Sequence, residues 1–141
     1  MRLYLAGPMS GIEQFNFPAF YEAAETLRAA GHDIVSPAEM DADDGIDEEA
    51  MSSEDGDASK LSLTWAQLLA RDVTIIGDET DDKIDGIVFL PGWIASRGAR
   101  LEAFTALLSR KYHFFDYVRA SGTMMQIHIN DLRQMLRDNM P

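Results

Sequence analysis

The start of the chain constrains the fold more than any other stretch. Residues 3–6, Leu-Tyr-Leu-Ala, form a short apolar run that stops at Gly7-Pro8, with a second glycine at Gly11. A helical pattern begins a few residues later. Open α/β sheets build ligand sites this way. A small-residue turn leaves backbone N–H groups free, and the helix that follows adds the positive end of its dipole. A small polar or anionic ligand is therefore expected above Gly7, Pro8, Met9, Ser10 and Gly11.

The same alternation continues along the chain. Asn16 or Phe17 opens a helix with Pro18 in its first turn, where the missing N–H costs nothing. Phe20, Ala23, Ala24, Leu27 and Ala30 form its apolar stripe, and Gly31 ends it. Residues 33–36 read as a second strand, closed by Pro37. Ser62 caps a second helix, with Leu63, Ala66, Leu69, Ala70, Val73 and Ile76 on one face. Residues 84–90 are almost all apolar and read as a strand buried on both sides, broken by Pro91-Gly92-Trp93. Ser96 caps a third helix that runs to about Arg110, with Leu101, Phe104, Leu107 and Leu108 directed inward. A fourth strand over 112–118, a turn at Ser121-Gly122, a weaker strand over 124–129 and a last helix capped by Asn130 or Asp131 complete the chain. Strands alternating with helices predict one α/β domain over residues 1–141. The expected form is a Rossmann- or flavodoxin-like three-layer sandwich on a mostly parallel sheet of four or five strands. Ligands in such sheets lie at the carboxyl ends of the strands. Residues 7–11, 36–40 and 91–98 should converge there.

Charge narrows the partners. The formal net charge is −12, which argues against a nucleic-acid polymer, because phosphate backbones require a basic face. Nine acidic residues and no basic ones fall between Asp41 and Asp57. This run reads as a solvated, mobile insertion over about 41–60. Its order does not match an EF-hand calcium loop. There are no cysteines, hence no disulfide framework and no thiolate chemistry. No segment approaches the ~18 apolar residues of a membrane span, so a cytoplasmic protein without a membrane partner is expected. His32, His113 and His128 show no ligand spacing, and neither a metal nor a cofactor is expected.

Four side chains invite a chemical reading, each beside a plainer one. Glu102 lies one turn into the third helix, behind the thin pair Gly98-Ala99; it is a reachable carboxylate or a solvated helix acid. Ser96 is a ligand contact or simply an N-cap. Asp72 lies near the core-facing stripe of its helix, where an unpaired acid is costly; it is functional or sits at the edge of that stripe. Arg71 beside it reads as a partner for some other acid. Tyr4, on an inner strand, needs a partner for its hydroxyl. Phe15 and Trp93 flank the expected mouth of the site, each either to stack on a planar base or a sugar or simply to pack as a lid.

These pieces, as an ordered set, resemble the nucleoside 2-deoxyribosyltransferase-like superfamily, in particular its small phage and bacterial branch (domain of unknown function 4406). The resemblance rests on residues 4–11 (YLAGPMSG), 15–20 (FNFPAF), 27–32 (LRAAGH), 36–39 (SPAE), Arg71-Asp72, and 90–93 (LPGW) through Ser96, Gly98, Ala99 and Glu102. It spans about residues 2–118 and leaves 119–141 as an extra segment. It implies an N-glycosidic hydrolase or deoxyribosyltransferase acting on a small-molecule nucleoside or nucleoside 5′-monophosphate. In that scheme Glu102 is the nucleophile and is ionised. Asp72 is the acid at the base and is protonated part of the time. Tyr4 orients Glu102 through a hydrogen bond, and Ser96 contacts the sugar or its phosphate. Gly7 to Gly11 line the same end, with Trp93 and Gly98 near the ligand. Met9-Ser10 stands where phosphate-binding relatives carry an arginine, so Arg97 or Arg100 would have to replace it. Homo-oligomers are common in the superfamily. A nucleotide-binding module of the same fold, without turnover, is the alternative reading, and a phage accessory protein a further one.

Overall fold

The computed structural model describes residues 1–140. Its five strands are β1 (Arg2–Ala6), β2 (Asp33–Val35), β3 (Gly86–Phe89), β4 (His113–Val118) and β5 (Thr123–Gln126), paired in the order β2-β1-β3-β4-β5. The first four run parallel and β5 is antiparallel to β4. This is the doubly wound, mostly parallel three-layer arrangement expected from the sequence. Its topological switch lies between β1 and β3, the place where such sheets receive ligands.

Among the described residues there are six α-helices: α1 (Phe17–Ala29), α2 (Pro37–Asp43), α3 (Asp47–Met51), α4 (Trp65–Gly77), α5 (Arg97–Leu108) and α6 (Ile129–Asp138). Alternation along β1 divides the core into two layers. Leu3 and Leu5 pack with Phe17, Phe20 and Leu27 of α1, while Tyr4 and Ala6 face α4, α5 and α6. Among the described residues, no helix is long and apolar enough to cross a membrane.

Several local expectations are corrected. The second helix starts at Thr64, not Ser62, because Thr64 and Gln67 form a reciprocal capping box that satisfies two orphan backbone donors. His128 caps α6 in place of Asn130 or Asp131, its Nδ1 accepting from the Asn130 N–H. The inward face of α5 is Ala99, Glu102, Ala103 and Ala106, whereas Leu101, Phe104 and Leu108 face outward. The two stripes share the helical period. The small one lets α5 lie close to β1 and β3, where leucine and phenylalanine side chains would hold it away. The acidic run is not an open loop. It carries α2, α3 and a 3₁₀ turn at Ala58–Lys60, and it buries Ile46 and Ala50.

Candidate functional site

A cavity of about 540 Å³ opens at the carboxyl end of the sheet, between the segments that follow β1 and β3. Its floor is polar. Asp72 comes from α4 and Glu102 from α5, and only 7% and 6% of their surfaces are exposed. The Tyr4 hydroxyl, fully buried on β1, donates to Glu102 Oε1 at 3.0 Å. Three elements distant in sequence thus meet at one point, and the sheet holds the tyrosine that fixes the glutamate.

Arg71 organises the acids behind this floor. Its Nε and Nη2 donate to Asp72 Oδ1 at 2.9 and 2.8 Å, so adjacent helix residues do pair here, contrary to the sequence reading. The same guanidinium reaches Asp44 Oδ2 at 2.9 Å and lies 2.7 Å from Asp41 Oδ1. The last contact is an ion pair poorly aligned for a hydrogen bond.

Burial dominates the proton affinities. It pushes Asp72 up to about 6, although Arg71 pulls the other way. Burial also raises Glu102 well above the usual carboxylate range, with the charge on Asp72 adding to the effect and the Tyr4 hydrogen bond opposing it. Asp41 is raised by burial and partly restored by Arg71. Tyr4 is raised by burial and then by Glu102, so it stays a donor. The sequence reading had Glu102 ionised and Asp72 intermittently protonated. Burial works against ionisation of both, and only Asp72 has a direct guanidinium partner, Arg71, whereas Glu102 has a tyrosine.

Gly7, Pro8, Met9, Ser10, Ser96 and Gly98 all line the cavity with Asp72 and Glu102. Ser96 caps α5, its Oγ accepting from the Ala99 N–H at 3.2 Å, so the capping role is the one observed. The Arg97 and Gly98 N–H groups, in the first turn of α5, have no intrahelical acceptor. Three expected residues are not in the wall. Tyr4 lies beneath it. Gly11 is turned away and donates its N–H to the Gly56 carbonyl. Trp93 is buried against Phe89, with ring centroids 4.0 Å apart, because the Gly92 turn at φ +84 sends it into the core instead of the mouth. Of the two candidate replacement arginines, Arg97 lines the cavity and stacks 5.0 Å over the Trp65 ring. Arg100 instead donates to the Ile94 carbonyl.

The opposite wall is apolar, and of its residues the sequence reading placed only Phe15 at the site. Phe15, Phe17, Ile46, Ala50, Leu61 and Leu68 supply it. Phe15 reaches the wall through three consecutive non-glycine residues with positive φ, Gln14, Phe15 and Asn16, each costing about 1 kcal/mol or more. Asn16 is held by its Nδ2 donating to the Pro8 carbonyl at 2.9 Å. The segment that carries α2 and α3 closes over this side as a cap. The Gly11 N–H to Gly56 carbonyl bond (2.9 Å) and the Gln14 N–H to Ser53 carbonyl bond (2.7 Å) latch it to the first loop. Ile46 and Ala50, four residues apart in an otherwise acidic run, were the available signal for a folded cap.

Fold and site together define a doubly wound α/β protein with a capped cavity and a carboxylate pair at the switch point of its sheet. The chain belongs to the family described as Domain of unknown function (DUF4406), whose model matches residues 1–113, from β1 to the first residue of β4. No curated protein and no solved structure matches the chain.

Proposed function

We propose that this protein cleaves the N-glycosidic bond of a (deoxy)nucleoside or nucleoside 5′-monophosphate, by hydrolysis or by transfer of the sugar to another base. The observation that carries the reading is the pairing of two buried carboxylates, Asp72 and Glu102, in one capped cavity, with Glu102 held by the Tyr4 hydroxyl. The ordered motifs that resemble the nucleoside 2-deoxyribosyltransferase-like superfamily point the same way.

In this reading the ionised Glu102 attacks the anomeric carbon as the carbon–nitrogen bond breaks. The bond's electron pair leaves with the base, which takes a proton from Asp72. Water, or a nitrogen of a second base, then attacks the glycosyl–Glu102 ester and gives its proton to the Asp72 carboxylate, which frees Glu102. Positive charge develops on the sugar in the transition state. That charge stabilises the ionised Glu102 carboxylate against the burial that opposes it. Tyr4 acts as a positioning residue. The apolar wall from Phe15 to Leu68 suits the faces of a planar base, and the first turn of α5 with Arg97 suits the sugar end.

A binding module without turnover is favoured by one observation, the burial that holds Glu102 toward its protonated form. A panel of nucleosides and 5′-monophosphates, assayed for free base by chromatography, separates the two readings. Release that Glu102→Gln lowers by ~10³-fold or more, in line with loss of a catalytic group, supports the enzyme. Saturable binding without base release by the wild-type protein refutes it in favour of the module.

A further inference from the structure

One guanidinium serves three carboxylates beside the cavity. Arg71 on α4 donates to Asp72 Oδ1 from Nε at 2.9 Å and from Nη2 at 2.8 Å. The same Nη2 lies 2.7 Å from Asp41 Oδ1, and Nη1 donates to Asp44 Oδ2 at 2.9 Å. The three acids are not equivalent. The Asp44 side chain is 46% exposed, so water offsets its charge. Asp41 and Asp72 are buried, and both line the cavity. These two meet on one nitrogen of Arg71 and compete for its charge, because a buried carboxylate ionises only against a partner.

The two come from different parts of the molecule. Asp72 stands on α4, whereas Asp41 stands on α2, within the cap. Neighbouring residues fix Asp41 there. Ala38, three residues earlier, is fully buried. Glu39 accepts from Arg28 Nη1 and Nη2, both at 2.6 Å, which ties α2 to α1. Because Asp41 is poorly aligned for a hydrogen bond to Arg71, it draws on the charge of the guanidinium without a directed bond.

The groups facing Asp72 pull in two directions. Arg71 on its own helix and the Tyr4 hydroxyl on β1 favour the carboxylate. Asp41 on α2 opposes it, and so does Glu102 on α5 whenever that residue is ionised. Asp44, at the end of α2, acts from a solvated position through Nη1 of Arg71. Of the opposing acids that are buried, only Asp41 also takes a share of the guanidinium.

We propose that Asp41 is a positioning residue for the acid step: seated on the cap, it divides the Arg71 guanidinium with Asp72 and so keeps the proton on Asp72 until the base departs. The donor role of Asp72 rests on the glycosidase reading above; the division of Arg71 does not. Without Asp41 the whole guanidinium belongs to Asp72, whose carboxyl then gives up its proton more readily. Such an acid would meet the base already ionised at neutral pH.

Carboxyl-carbon NMR titration of the unliganded protein tests the division without any substrate. In the wild type Asp72 should titrate at about 6. The Asp41 and Asp72 resonances should each show a second inflection where the other ionises. Asp41→Asn should lower the Asp72 midpoint by about one pH unit or more, and Asp44→Asn, at a screened site, by less. An Asp72 midpoint that Asp41→Asn leaves in place, or that Asp44→Asn moves as far, overturns the proposal. Should Asp41→Asn fail to fold, the wild-type curves decide, and independent single steps for Asp41 and Asp72 overturn it. With a substrate that releases base, the alkaline limb of kcat should move down with the midpoint, so Asp41→Asn loses ~10-fold more activity at alkaline than at acid pH. A limb that stays while the midpoint moves overturns the part played in the acid step. A moved midpoint without base release from any substrate supports the division of Arg71 and fails the glycosidase reading instead.

Discussion

Tyr4→Phe isolates the contact on which the site depends. The substitution keeps the ring, which is fully buried among Ile76, Ile87 and Ala103, and removes only the hydroxyl that donates to Glu102 Oε1 at 3.0 Å. No cavity of consequence forms, so the energetic effect is that of one hydrogen bond. When Glu102 is protonated the bond is of the neutral kind, contributing about 1 kcal/mol; when Glu102 is ionised it contributes about 1.5–3 kcal/mol. Burial, then the charge on Asp72, raises the proton affinity of Glu102, and the Tyr4 bond lowers it, so removing the hydroxyl leaves these opposed by the charge on Arg71 and the ionised form without the Tyr4 donor. The stability lost in Tyr4→Phe should therefore grow with pH. Urea unfolding from mildly acid to mildly alkaline pH should show a loss of about 1 kcal/mol at the acid end, rising by a further ~1–2 kcal/mol at the alkaline end. A loss that is the same at every pH would show that Glu102 does not ionise against this hydroxyl, and the reasoning would fail.

Asp72→Asn should flatten part of the pH dependence of stability. The native carboxyl titrates at about 6 against an ordinary 3.8, so the folded state holds the proton more tightly than the unfolded chain. Its contribution is full below about 3.8 and is lost as pH rises to about 6, up to ~3 kcal/mol in all. Melting temperatures of the two proteins across that window should converge as pH rises, apart from a constant offset for the lost Arg71 partner; parallel curves would refute the assignment. Gly56→Ala should unlatch the cap, because φ is +64 there and an added Cβ would fall on the Ile12 backbone. Its cost should exceed that of Gly45→Ala, where φ is +84 but the space is open, by ~2 kcal/mol or more in urea unfolding. Equal losses would place the strain elsewhere.

The parallel core of the sheet was legible because its first three strands each end in a strong stop: Gly7-Pro8 after β1, Pro37 after β2, Pro91-Gly92 after β3. The Tyr4–Glu102 contact followed from the resemblance together with the expected meeting of the segments after β1 and β3. The sequence could not choose between two α5 stripes of equal period. Hydrophobicity favoured the leucines, and the close approach of α5 to the sheet decided for the alanines. Asp41 was hidden for a similar reason. Among nine acids it looks like a solvated side chain, and only the fold brings it to Arg71. Trp93 was misplaced because one positive φ at Gly92 reverses the direction in which the following side chain points.

The latch between cap and first loop is made of main-chain groups, Gly11 to Gly56 and Gln14 to Ser53, and such bonds read no side chain. Truncations of the cavity-lining Ile46 and Leu61 therefore leave these main-chain bonds without a lost partner. Tyr4, Asp72 and Glu102 stand on the sheet and two other helices, and the cap reaches them through Asp41 and Asp44, which hold Arg71 against Asp72. Selectivity and reactivity therefore meet in the cap only at Asp41 and Asp44, and libraries confined to its apolar residues would alter what fits inside while leaving the Arg71 contacts in place.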